Sequence, residues 1–80
     1  MPILKVSIRQ IKAARALLGW SQEDLAKQAG VSIPTVKRLE AGDGELGGRS
    51  ETAGKLRAAL EAAGIEFIGG SEGLGVRLRP

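Results

Sequence analysis

The stretch SIPTVKRLE, residues 32–40, holds the side chains with the most chemistry to offer in this sequence. Read as a helix, it turns Val36, Leu39 and Glu40 to one side. Pro34, Lys37, Arg38 and the following Ala41 fall on the other, with Ile33 and Thr35 at the margins. That second side is basic, and its compact residues let a helix approach a groove closely. Arg38 carries a planar fork that can meet the two acceptors of a guanine edge, while Lys37 offers a flexible point charge suited to phosphate. Ile33 or Pro34 can touch a thymine methyl. The plainer alternative is a solvated basic face, with Ile33 completing a core. Pro34 stands at the second helical position, where a missing amide costs little, so Ser32 is left to cap the amide of Thr35.

Composition removes most other chemistries. The 80 residues contain no cysteine and no histidine. Disulfides, thiolate metal sites, a cysteine nucleophile and the commonest general base are therefore absent. Nor do the acids cluster at a useful spacing. No enzyme activity, catalytic residue, metal site or cofactor is expected. The charge is uneven along the chain. Residues 1–40 carry seven basic side chains against three acids, and residues 41–80 carry five against six, which together give the net +3. A basic N-terminal half suits an anionic partner such as nucleic acid, although a surplus this small is equally compatible with an ordinary solvated surface. No 18-residue apolar run and no signal-peptide core appears, so a cytoplasmic location away from membranes is expected.

Several elements must position residues 32–40. A chain this short makes one domain, 1–80, and buries only about 60% of the surface its unfolded form exposes. Trp20 and Phe67 are its only aromatic residues, so the core rests on Leu, Ile, Val and Ala. Helix starts are marked by Ser7 with Gln10, Ser21 with Asp24, and Ser32, each serine preceded by an apolar residue that can staple the first turn. Gly19, Gly30 and Gly42 are the expected stops. The resulting helices are 8–19, 22–29 and 33–41. A fourth, 51–63, is capped by Ser50, stopped by Gly64, and striped with Ala53, Leu56, Ala59, Leu60 and Ala63. After Gly64 the period becomes two. Residues 65–68 and 76–79 alternate about a glycine-rich loop, predicting a β-hairpin, and residues 3–6 are a candidate short strand.

Leu25, Ala26, Ala29, Val31, Val36 and Leu39 would all turn inward around Gly30, and Ala26 is small where the next helix crosses. Taken together, these residues resemble the helix-turn-helix of the Cro and phage-repressor-like (XRE-type) family of transcriptional regulators, over roughly residues 8–63. The resemblance implies a mainly α, four-helix lambda-repressor-like DNA-binding domain, here with a C-terminal β-hairpin where many relatives have a fifth helix. It implies a sequence-specific repressor that binds double-stranded DNA as a homodimer and reads the major groove with helix 33–41. Ser32, Ile33, Pro34, Thr35, Lys37 and Arg38 would then face DNA. Gln22 would hydrogen-bond a phosphate, the alternative being a simple helix-start glutamine. Arg49 would touch the backbone, although Asp43 and Glu45 in the same loop depart from the family pattern by repelling phosphate.

Arg15 lies along the apolar stripe of the first helix, Ile8, Ile11, Ala14 and Leu18, where a guanidinium needs a partner. Glu40 is the natural one, and the family shows the same pairing; a direct phosphate contact by Arg15 is the alternative. The hairpin either packs on its own helices or pairs across a two-fold axis to make the dimer. Two other functions fit the same sequence. One is the antitoxin of a toxin–antitoxin pair, with a toxin bound through the hairpin. The other is a protein-interaction module without DNA binding.

Overall fold

Each of the first three helices begins at a serine whose hydroxyl takes an amide that the helix itself cannot satisfy. The computed structural model describes residues 6–42, 51–70 and 73–80. Helices α1 (Ile8–Leu18), α2 (Gln22–Ala29), α3 (Ile33–Glu40) and α4 (Glu51–Ala62) precede strands β1 (Ile65–Ile68) and β2 (Gly75–Leu78). At α1 the Gln10 amide donates to Ser7 Oγ at 3.2 Å, and the Ser7 amide donates to Gln10 Oε1 at 2.9 Å. Ser21 and Asp24 repeat this reciprocal arrangement at α2. At α3 Ser32 Oγ accepts from the Thr35 amide at 3.3 Å.

The stops are less uniform. Gly19 and Gly30 adopt the left-handed conformation, with φ 69° and 71°, so a side chain at either would be strained although space around it is open. Gly42 does not play that part. Ala41 caps α3 in the right-handed region, and the Gly42 amide donates to Leu39 O, tightening the last turn instead of reversing it. Three helices end one residue before the expected 8–19, 33–41 and 51–63, because Gly19, Ala41 and Ala63 are turn residues. The second strand lies one residue earlier than the expected 76–79. Its register pairs Ile65 with Leu78, Glu66 with Arg77, Phe67 with Val76 and Ile68 with Gly75. Gly75 enters the ladder without a side chain, so no alternation in the sequence marks it.

One core joins every element. Ile11 and Ala14 of α1, Leu25 and Ala26 of α2, Val36 of α3, and Leu56 and Leu60 of α4 are almost wholly buried. Val6, Ile8, Ala53, Ile65 and Phe67 complete the cluster. The hairpin thus packs on its own helices, β2 against α1 and β1 against α4. Arg57 of α4 lies over the Phe67 ring, 5.9 Å from its centre. Of the candidate strand 3–6 only Val6, which is buried, belongs to the described residues. Among those residues no helix is long and apolar enough to cross a membrane.

Candidate nucleic-acid interface

α3 is short, and its two sides are sharply different. Val36 is fully buried, Glu40 is nearly so, and Ile33 and Leu39 are half-buried against the core. Pro34, Lys37, Arg38 and Ala41 are all exposed, and their i, i+3, i+4, i+7 spacing makes them one continuous stripe. Ser32 is exposed at the cap, and its hydroxyl lies 2.7 Å from that of the half-buried Thr35. The two hydroxyls and the pyrrolidine ring therefore form a fixed, compact N-terminal tip beside the Lys37 and Arg38 cations. Arg49 and the acids Asp43 and Glu45 lie outside the described residues.

Beneath this stripe sits a buried ionic cluster. Arg15 donates from Nε to Glu40 Oε2 at 2.8 Å and from Nη2 to Oε1 at 2.7 Å, a bidentate pair. Its Nη1 donates to Trp20 O at 3.0 Å, fixing the link between α1 and α2. Gln22, half-buried at the start of α2, donates from Nε2 to Glu40 Oε1 at 3.0 Å. The amide that the family resemblance assigns to phosphate thus gives one of its two N–H groups to Glu40. Glu40 is only 4% exposed, yet among the described residues no buried side-chain polar atom lacks a partner.

Burial pushes the Glu40 carboxyl up. The hydrogen bonds from Arg15 and Gln22, with the charges of Arg15 and Lys12, outweigh that and hold it below its ordinary 4.5. The hydrogen bonds that Arg15 donates to Glu40 push its own pKa up in turn, against the opposing effect of burial. A depressed carboxyl contributes stability that is complete above its unfolded value and is lost as pH falls through the folded one. Glu40→Gln should therefore be less stable than the parent at pH 7, and the gap should narrow as pH falls below about 4.5. Urea melts between pH 7 and pH 3 measure it; a constant gap would remove Glu40 as the source.

One buried polar residue has a role only partly written in local spacing. Gln10, 3% exposed, donates from Nε2 to both Ile68 O at 2.8 Å and Gly75 O at 2.9 Å. The residue that closes the α1 cap also holds the last rung of the hairpin. Its position three residues after Ser7 revealed the first contact; the second joins residues 58 and 65 positions apart.

Two capped helices joined at a left-handed glycine, the second with a basic outward stripe, define a DNA-binding helix-turn-helix domain. The helix-turn-helix family model matches residues 11–50, half of the chain, and the chain belongs to the Cro/C1-type (XRE) family of DNA-binding transcription regulators. No curated protein matches the sequence.

Proposed function

We propose that this protein is a sequence-specific repressor that lays α3 in the major groove of its operator and acts by occupying promoter DNA. The observation that carries this is the Pro34–Lys37–Arg38–Ala41 stripe, exposed on a helix whose opposite side is anchored by Val36 and Glu40. Arg38 pairs with a guanine edge, Lys37 meets phosphate, and Ile33, Pro34 and Thr35 shape the contact near the helix N-terminus. Ser32, Gln22 and Arg49 belong to the surrounding backbone contacts. Two copies bind together, reading half-sites about 34 Å apart. Ile68, Leu74 and Leu78 on the hairpin are each more than a third exposed, and they favour that part of the surface for the second copy.

Selection of bound sites from a random DNA pool tests the function as a whole, and two-fold symmetric sites are expected. Failure to enrich any sequence would favour a protein-interaction role. Two point variants test the roles within α3. Arg38→Ala should cost about 1–3 kcal/mol on the preferred site and relax the choice of base at one position. Lys37→Ala should weaken binding about equally on all sequences and lower the salt slope by about one. An even loss across sequences for Arg38→Ala would make it a backbone contact.

A further inference from the structure

β2 has an open edge. The Arg79 amide donates to Gly64 O at 2.9 Å, which makes Glu66–Arg77 and Ile68–Gly75 the hydrogen-bonded pairs of the hairpin. The amides and carbonyls of Val76 and Leu78 therefore point away from β1, and no described residue bonds to them. Leu74, two residues earlier, stands in the same phase. The opposite edge, along Ile65 and Phe67, is closed, since Ile65 is 2% exposed and Phe67 is buried. Leu74 is 63% exposed and Leu78 37%, with Val76 half-buried between them. Val76 and Leu78 turn to the same face as Phe67 and Ile65, and alternation puts Leu74 there too. Proteins keep open edges apart with a proline or an inward-pointing charge. Neither occurs at these three positions. Arg77 and Arg79 lie on the other face, paired with Glu66.

We propose that this edge takes the β2 edge of a second copy, antiparallel across a two-fold axis, with Val76 opposite Val76. The occupant follows from the self-complementarity of the edge. In this register Leu74 meets the second copy's Leu78, and each Arg77 stands opposite a glycine, the second copy's Gly75. The neighbouring register, centred on Arg77, would set two guanidinium groups against each other at the closest cross-strand spacing, where like charges repel. Leu74 and Val76 also line a cleft with Ala13 of α1, and the second copy's Leu78, set beside Leu74, covers its mouth. Leu17, exposed one turn along α1 from Ala13, extends the same apolar rim. The proposal rests on the two-copy reading above for its occupant, and adds the strand and the register.

The sequence has no cysteine, so single cysteines report the register directly. Full-length Leu74→Cys and Leu78→Cys proteins are oxidised separately and as an equal mixture, without DNA. The mixture should crosslink, because residues paired in this way hold their Cα atoms about 5.5 Å apart, within disulfide reach. Each protein alone should give about tenfold less crosslinked dimer, since its two cysteines stand four residues, more than about 13 Å, apart along the strands. Leu74→Lys puts a charge at an exposed position of the single chain and against Leu78 in the pair. It should keep the parent's helical circular dichroism and raise the dimer dissociation constant about tenfold or more in sedimentation equilibrium. A parent that sediments as a monomer overturns the proposal and leaves the edge to another protein or to none. A dimer that Leu74→Lys leaves intact, or cysteines that crosslink no better mixed than alone, overturns it by moving the interface elsewhere. The DNA reading fails separately: a dimer crosslinked in this register that enriches no sequence would sink the repressor function and leave this interface standing.

Discussion

Arg15→Ala should destabilise the fold by about 3–5 kcal/mol, because it strands Glu40 as an uncompensated buried charge. Arg15 supplies two of the hydrogen bonds to that carboxylate, and Gln22, a neutral amide, would remain as its hydrogen-bonded partner. The same substitution frees Trp20 O, so the link between α1 and α2 loosens at the same time. Most of this cost is the penalty of leaving one charge without the other; the pair's own net worth is smaller. Replacing both residues with apolar ones of similar size, Arg15→Met with Glu40→Leu, should therefore cost less than either single change. Urea melts of the two single variants and the double variant at pH 7 measure this directly. An Arg15→Ala protein that melts with the parent would show that Glu40 is solvated well enough without its partner. Because the predicted loss is a large fraction of the 5–15 kcal/mol typical of a whole domain, the variant should also be visibly less folded at 37 °C.

The features legible in the sequence were those written in local spacing. Serine three residues before a glutamine, an aspartate or a free amide announces a helix start, and each of the three caps is bonded that way. Alternation after Gly64 gave the hairpin, and the i, i+3, i+4 pattern gave the apolar side of each helix. The partner of Arg15 could be reasoned from its place on an apolar stripe, where a guanidinium needs a partner, together with the pairing that the family resemblance implied. What escaped depends on distance along the chain. Gln22 has a good local reason to stand at a helix start, and nothing nearby points to Glu40, 18 residues on. Gly75 extends the ladder by backbone alone. The end of α3 is decided by a tightened turn at Leu39, which the glycine at position 42 made to look like a left-handed stop. In each case the missing information is tertiary, and the long polar side chains are where it hides.

Gln10 shows this most clearly, and its replacement should have the second largest effect. Gln10→Leu keeps the bulk but removes both ends of the amide. Ser7 loses its acceptor, and Ile68 O and Gly75 O lose their shared donor. At about 0.5–1.5 kcal/mol for each of the three hydrogen bonds lost, a loss of roughly 2–4 kcal/mol is expected. Gln10→Glu separates the two ends. Its carboxylate still accepts from the Ser7 amide, so the cap survives, but it faces two carbonyl oxygens that have lost their side-chain donor. Repulsion there raises the folded pKa of the new carboxyl above its unfolded value. The penalty is therefore present above that folded pKa and relieved as pH falls below it, the reverse of the trend expected from Glu40. Urea melts from pH 7 to pH 4 should show Gln10→Glu recovering toward the parent, while Gln10→Leu keeps a constant deficit. Hydrogen exchange should locate the loss, with the β1–β2 amides exposed before those of α2 and α3. Uniform exposure of all elements, or a pH-independent deficit in Gln10→Glu, would mean that the hairpin is held by Ile65 and Phe67 alone.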